Sequence, residues 1–179
     1  MRLAVSGAGS KSRRLFLRIR TVPVDMTGQQ RIEASREDVW RALNDPDVLR
    51  LCIPGCQEIT ALSPTEMKAS VTLKIGPMKA SFLGNVTLSD IDAPKGYRIS
   101  GEGKGGVAGY AKGGARVWLE EDGRATLLNY EAQADVGGKI AQLGGRLIDS
   151  TARKLAAEFF GKFGEVVAPA TADVADIIP

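Results

Sequence analysis

Histidine is absent from this sequence of 179 residues, and its absence excludes several kinds of active site. A Ser-His-Asp triad, a Cys-His nucleophile pair and a histidine-ligated metal all require that side chain. Cysteine is almost as scarce, since Cys52 and Cys56 are the only thiols. Two thiols without histidine cannot complete a four-ligand zinc site. We therefore expect no metal site, and any acid–base chemistry would fall to Asp, Glu, Lys, Tyr or Cys.

Long apolar runs are missing as well. The sequence contains no stretch of about 18 consecutive apolar residues, so it predicts no membrane-spanning helix. Its first 20 residues, MRLAVSGAGSKSRRLFLRIR, contain no unbroken apolar core of the length that a secretory signal requires. Without such a signal, a reducing cytoplasm is the expected location.

Positive charge is concentrated at the start of the chain. Residues 1–25 contain six basic residues and one acid, whereas the rest of the chain contains 18 basic and 20 acidic residues. The near-neutral body gives no electrostatic reason to expect a nucleic-acid partner. We interpret residues 1–25 as a disordered basic leader, or as the product of an upstream start codon with Met26 as the natural first residue. A transit peptide and a segment that binds an anionic membrane surface are the alternatives.

The body of the chain begins with the pattern of one strand and two short helices. Residues 29–34, QQRIEA, indicate a strand. Ser35 is a suitable cap for a helix that presents Trp40 and Leu43 on one face. The sequence Asn-Asp-Pro then interrupts this helix, and residues 46–53 predict a second short helix that begins with proline.

Five segments follow in which apolar or small residues alternate with polar ones. Glycine-containing turns connect them, as in Gly76-Pro77 and Asp122-Gly123. This period of two predicts an antiparallel meander with one apolar face and one wet face. The predicted strands are residues 69–75, 78–88, 97–104, 111–120 and 128–136.

The spacing changes to that of a helix in residues 139–163, where apolar residues recur on one stripe. Because this helix is the only long apolar surface available, we expect it to cover the sheet. Gly144-Gly145 inside it would cost roughly 1 kcal/mol per glycine, which suggests either close contact with the sheet or a local opening. Residues 164–179 are short, acidic and rich in Ala and Pro, and we expect a flexible tail.

Three further features have competing interpretations. The glycine-rich segment GEGKGGVAGYAKGG lies between strands, whereas a phosphate-binding loop lies between a strand and a helix, so we do not expect phosphate there. Cys52 and Cys56 suggest either a redox pair or two small packing residues. We favour packing because no neighbouring basic residue in the sequence would lower a thiol pKa. Trp118 falls on the polar phase of its strand. It is therefore either a surface aromatic residue or part of a partner-binding face.

The inward phases of the strands and the apolar stripe of the helix predict one shared apolar cavity. Glycines on the same phases would shorten the inward side chains and leave space for a hydrophobic ring compound. Two tyrosines could place a hydroxyl in this space. The predicted ligand-binding residues are Leu73, Met78, Phe82, Tyr110, Val117, Leu128, Tyr130, Leu143 and Leu147, and no catalytic residue is predicted.

Four stretches of the sequence resemble one known family, that of the G-subunit of carbon monoxide dehydrogenase, within the START-like (SRPBCC) helix-grip superfamily. They are REDVWRALNDPDVLRLCIPGCQEI, VTLKIGPMKASFLGNVTL, GEGKGGVAGYAKGGARVWL and AQLGGRLIDSTARKLAAEFFGKF, and together they cover about residues 28–163. The resemblance implies an α+β helix-grip domain over residues 26–163. In this fold a curved antiparallel sheet wraps around a long C-terminal helix, with two short helices after the first strand.

The resemblance also implies a function. Members of the family are accessory proteins of a bacterial molybdenum hydroxylase of the carbon monoxide dehydrogenase type, and they are thought to recruit that enzyme to the membrane. A quinone or lipid-like molecule is the implied ligand, with no covalently bound cofactor. This sequence has neither the long linker nor the hydrophobic C-terminal anchor of some members, so we expect peripheral association at the inner face of the cell membrane at most.

Two other functions stay open. One is an enzyme, a cyclase or hydratase of the same superfamily, which would need an inward carboxylate or tyrosine with a perturbed pKa. The other is a purely structural docking protein with a filled core. The inward positions are almost all apolar, which favours a binding protein over an enzyme.

Overall fold

The computed structural model describes residues 21–169, which form one curved sheet and three α-helices. The strands are β1 (Val22–Ile32), β2 (Cys56–Ser63), β3 (Glu66–Ile75), β4 (Met78–Asp92), β5 (Gly96–Lys104), β6 (Tyr110–Asp122) and β7 (Ala125–Gly137). The helices are α1 (Arg36–Leu43), α2 (Pro46–Cys52) and α3 (Gly145–Val167), and two 3₁₀ turns span Gly106–Ala108 and Lys139–Leu143.

The seven strands form a single antiparallel sheet in the order β1-β7-β6-β5-β4-β3-β2. Every neighbour pair from β2 to β7 is a hairpin between consecutive strands, and only β1 crosses to the far edge, beside β7. Gly76 and Gly123 occupy two of the turns with φ of 56° and 61°, in the left-handed region that glycine reaches without a Cβ clash. The helix-grip fold predicted from the sequence is confirmed.

The two short helices begin at the residues that the sequence indicated. The Asp38 amide donates to the Ser35 hydroxyl over 3.2 Å, and the Asp47 amide donates to the Asp45 carboxylate over 2.9 Å. Each bond satisfies one amide of a first helical turn that has no partner within the helix. Pro46, which has no amide hydrogen, starts α2.

Three boundaries differ from the prediction. Residues 22–25, assigned to the basic leader, already belong to β1, where Val24 is buried and pairs with Ala134; the basic residues before them obscured a short alternating pattern. Residues 1–20 lie outside the described residues. The α3 helix continues to Val167, past the predicted end at residue 163. Residues 170–179 of the predicted tail also lie outside the described residues.

The long helix also begins later than predicted. Residues 139–143 form a 3₁₀ turn, and Gly144, with φ of 92°, separates that turn from α3. The two adjacent glycines therefore stand at the start of the helix and not inside it, so neither explanation offered for interior glycines applies. Strand β2 was missed altogether, because its exposed edge position allows residues such as Glu58 and Leu62 without a clear period of two.

The inner face of the sheet is covered by α3 together with α1 and α2, and the buried side chains divide into two clusters. The first cluster joins α1, α2 and the C-terminal half of α3 to β1, β4, β5, β6 and β7. Its buried members include Ile32, Val39, Leu43, Leu88, Tyr97, Val117, Leu119, Leu128 and Phe163. The second cluster lies near the start of α3; it includes Val24, Ile75, Ala80, Phe82, Ala108, Val136, Ile140 and Ile148. The site lies between these two clusters.

Candidate functional site

The middle of the inner face carries unusually small side chains. On β5 the inward position between the clusters is Gly101, on β6 they are Gly113 and Ala115, and on β7 they are Ala132 and Ala134. Short side chains on three neighbouring strands leave a hollow that the larger residues of the two clusters do not fill. The hollow is therefore a direct consequence of residue choice on the inward phase.

A cavity of about 310 Å³, open to solvent, occupies this hollow. Its inward-facing lining comes from four adjacent strands and consists of Val24, Met26, Ile99, Gly101, Ala111, Gly113, Ala132 and Ala134. Three residues of the outward phase, Lys112, Gly114 and Gln133, complete the lining. A small apolar cavity of this kind favours an apolar molecule, whose surface it removes from water. It offers few hydrogen bonds to a polar molecule.

A second concave region lies between α3 and the exposed part of β3. Strand β2 pairs with β3 only as far as Val71, so the end of β3 pairs with β4 alone, and its other edge is open beside the helix. The resulting groove of about 520 Å³ is lined by Leu73, Leu147 and Leu155, with Lys74 and Lys154 among its polar residues. It is an opening of mixed character beside the helix, with three leucines among polar and charged side chains.

The outer face of the sheet holds a larger groove of about 830 Å³, and its chemistry is different. Outward side chains such as Thr27, Arg98, Arg116 and Glu131 contribute to its lining. Opposite charges alternate there in solvent, so this groove is unsuited to an apolar ring despite its size. Trp118 lies beside this face with Arg116 stacked 4.8 Å from its ring centroid, on the polar side as the strand phase predicted.

Aromatic residues form the boundary between the hollow and the first cluster. The ring of Tyr130 stacks on that of Phe160 with centroids 5.1 Å apart, and a Cβ at Gly28 would come within 2.5 Å of the Tyr130 ring. Gly28 is thus required for the close approach of β1 to this tyrosine. Tyr97 is more deeply buried, and its hydroxyl donates to the Leu43 carbonyl over 3.5 Å. Burial raises the Tyr97 pKa, so the phenol stays neutral at physiological pH.

None of the nine predicted site residues lines the 310 Å³ cavity. Val117, Leu128 and Tyr130 belong to the first cluster or pack against it, and Leu73, Met78, Phe82 and Leu143 do the same in the second. Leu147 packs over Gly76 and lines the groove with Leu73, whereas the Tyr110 ring lies over Gly137. Large side chains fill the clusters, and the space lies where side chains are small. Their role in ligand binding stays a prediction.

The residues that do line the cavity gave only a weak signal in the sequence. Glycines on the inward phase indicate space, whereas the alanines of β6 and β7 do not by themselves distinguish a cavity from a packed core. Val24 was excluded by the misplaced leader boundary. A search for the smallest inward residues on adjacent strands, in place of the largest, would have found Gly113, Ala132 and Ala134.

The two cysteines are free thiols in this structure, one buried and one half-buried. Burial is the main cause that raises the pKa of both the Cys52 and Cys56 thiols, so neither is an activated thiolate. Within residues 21–169, no group of three or more His, Cys, Asp or Glu side chains is arranged to hold a metal ion. In the same part of the chain, no helix is long and apolar enough to cross a membrane.

Comparison with known proteins gives the family. The family model of the carbon monoxide dehydrogenase G-subunit (CoxG) matches residues 28–168. The chain belongs to this family. The match extends over most of the described sheet and all of α3, in agreement with the resemblance seen in four stretches of the sequence. A search of curated proteins found no match to this CoxG family member.

Solved structures support the same fold for this CoxG family member. A conserved protein from Geobacillus kaustophilus is 29% identical, with a TM-score of 0.76 over 80% of this chain and 95% of that one. A START superfamily protein from Mycobacterium smegmatis is 16% identical, with a TM-score of 0.57 over 79% of this chain and 98% of that one. The ZhuI aromatase/cyclase from Streptomyces sp. R1128 is 13% identical, with a TM-score of 0.58 over 81% of this chain and 93% of that one. The two more distant similarities show the START-like fold alone.

Proposed function

We propose that this CoxG family member is a non-catalytic binding protein that holds an apolar, ring-bearing molecule, such as a quinone, in the hollow on the inner face of its sheet. It serves as an accessory protein of a molybdenum hydroxylase of the carbon monoxide dehydrogenase type, and it associates peripherally with the membrane where such a ligand resides. The observation that carries the ligand-binding proposal is the apolar cavity of about 310 Å³ between two well-packed clusters.

The chemistry of the lining favours binding over catalysis. Carboxylates, which a cyclase or hydratase would use for proton transfer, are not among the residues that line this cavity, all of which lie in the described part of the chain. The nearby Tyr97 phenol is neutral, and its hydroxyl already has a partner in the Leu43 carbonyl. What the cavity offers a ligand is removal of apolar surface from water.

The size of the cavity suggests how much of a ligand it holds. A volume of about 310 Å³ is near the lower end of the range for small-molecule sites. An aromatic ring buries about 150–250 Å², which corresponds to about 4–6 kcal/mol of transfer free energy before the cost of association. A ring alone would therefore bind weakly, and an isoprenoid or alkyl tail in the groove between α3 and β3 would add affinity.

The proposal is tested by native mass spectrometry of the full-length protein, followed by organic extraction. We expect a mass increment that disappears on extraction and an extract that contains a quinone or another apolar ring compound. A protein that is free of ligand after gentle purification, and that also fails to take up a long-tailed quinone added in excess, would contradict the binding function. Co-purification with hydroxylase subunits from the native host tests the accessory role separately.

A further inference from the structure

The two ends of the sheet differ in their charged side chains. One end consists of the β3–β4 turn, the β5–β6 loop, and the segment from the end of β7 to the first turn of α3. These segments, residues 72–80, 103–111 and 136–148, contain no acidic residue. Their basic residues, which we call the basic end, are Lys74, Lys79, Lys104, Lys139 and Arg146, and all five are exposed. Acidic residues predominate at the opposite end, as in Asp90, Asp92, Glu120, Glu121 and Asp122.

The five side chains of the basic end have no acidic partners. None of them forms an ion pair with any residue of the described range 21–169. Lys74 and Lys79 even stand directly opposite each other across the β3–β4 hairpin. Like charges in that arrangement destabilise a sheet. Folding stability therefore does not explain this cluster, whereas attraction to an external anion would.

The loop at this end presents a single apolar side chain to solvent. Val107 is 93% exposed, which is the highest value for a large hydrophobic residue within residues 21–169. It stands between Gly106 and Ala108 in the 3₁₀ turn of the β5–β6 loop, and Ala108 anchors the loop by packing in the second cluster. The loop therefore exposes Val107 near the lysines of the basic end, while Ala108 fixes the position of the loop.

We propose that the basic end is a docking surface for an anionic lipid membrane, with Val107 inserted at the level of the headgroups. This inference rests on the proposed function, because it gives the ligand cavity a route to a lipid phase. Lysine-rich clusters are attracted to anionic leaflets, whereas lysine is depleted at the cores of protein–protein interfaces. In the described part of the chain, only Val107 and Leu83, which pairs with Lys104 and is 70% exposed, add large exposed apolar side chains to this basic surface. Such scattered apolar side chains fit a lipid interface better than a protein partner, which would require a broader apolar patch.

Two features of the chain agree with this orientation. Residues 1–20 add six basic residues and no acid, and they join the domain just before Val22, at the same end of the sheet. The cavity lies behind the same loop: Ala111, two residues from the loop's end at Gly109, lines it. Gly105 of the loop lies against the Phe82 ring, where a Cβ would come within 2.7 Å. Docking by the basic end would therefore place the cavity close to the lipid.

The test is co-sedimentation of the full-length protein with vesicles of equimolar phosphatidylserine and phosphatidylcholine, compared with pure phosphatidylcholine. We expect binding to the anionic vesicles that weakens as salt is added. The triple variant K74Q/K79Q/K104Q should partition on the order of 100-fold less strongly, since each lysine near an anionic surface contributes about fivefold. The matched variant K68Q/K95Q/K162Q removes the same charge from exposed sites elsewhere and should lose far less.

The valine is tested by Val107→Ser, which keeps every charge and should weaken partitioning by about tenfold. Equal partitioning of the two triple variants would overturn the docking surface, and an unchanged Val107→Ser would overturn insertion of the loop. Quinone uptake by the wild type and by Val107→Ser in vesicle-free solution separates this inference from the proposed function, because Val107 lines neither the cavity nor the groove. Absence of quinone uptake by the wild-type protein would contradict the proposed ligand-binding function. Vesicle binding, in contrast, reports on the basic end alone.

Discussion

Enlarging a side chain should have opposite consequences in the cavity and in the packed clusters. Ala132 lines the 310 Å³ cavity on β7, opposite Met26 of β1, whereas Ala80 is 7% exposed within the second cluster, opposite Leu73. A leucine at position 132 fits into existing space and buries additional apolar surface. A leucine at position 80 must displace close-packed neighbours, which costs about 1–3 kcal/mol.

The comparison is made by thermal and urea unfolding of Ala132→Leu and Ala80→Leu. For a domain of this size, 1 kcal/mol shifts the melting temperature by about 2–4 °C, so Ala80→Leu should lower it by about 2–12 °C. Ala132→Leu should leave it within about 2 °C of the wild type or raise it. Equal destabilisation by the two changes would refute the cavity, since it would mean that the space around Ala132 is already filled.

Three further predictions concern stability and reactivity. Phe163→Ala should lower the free energy of unfolding by about 3–5 kcal/mol in urea titrations, because Phe163 is 0% exposed and stacks on Phe159; a change below about 1 kcal/mol would show that this part of the core is loosely packed. Deleting residues 1–20 should leave the melting temperature unchanged, whereas deleting 1–25 should lower it by removing Val24 and part of β1; equal effects would restore the leader boundary predicted at residue 25. Cys52 should react with iodoacetamide at neutral pH only as fast as the protein opens, since it is buried and its thiol pKa is raised; alkylation at the rate of a free thiol would contradict this.

The architecture could be predicted from the sequence because each of its elements carries a strong local signal. Alternation in β4, β6 and β7 gave the meander, and Ser35 and Pro46 gave the starts of two helices. Edges and ends carried less information. Strand β2 is half exposed at the sheet edge, and the first residues of β1 follow a basic segment, so neither had enough pattern to be recognised.

The location of the cavity could not be predicted, because strand phase tells which side chains point inward but not which of them touch one another. Phe82 and Leu128 both point inward, yet they belong to different clusters that are separated by the hollow. That separation depends on the curvature of the sheet and on where α3 begins. The start of α3 in turn depends on Gly144, whose φ of 92° breaks the helix that periodicity had extended back to residue 139.

The central claim, that an apolar ring binds in the cavity bounded by β1, β5, β6 and β7, is tested most directly by methionine methyl resonances. Met26 lines the cavity, whereas Met67 packs against the first cluster and Met78 against the second. Titration of the ¹³C-methyl-methionine protein with a water-soluble, short-tailed quinone should shift the Met26 signal in a saturable way, with much smaller changes at Met67 and Met78. Saturable shifts at Met67 or Met78 with Met26 unmoved would contradict the assignment of this cavity as the ligand site.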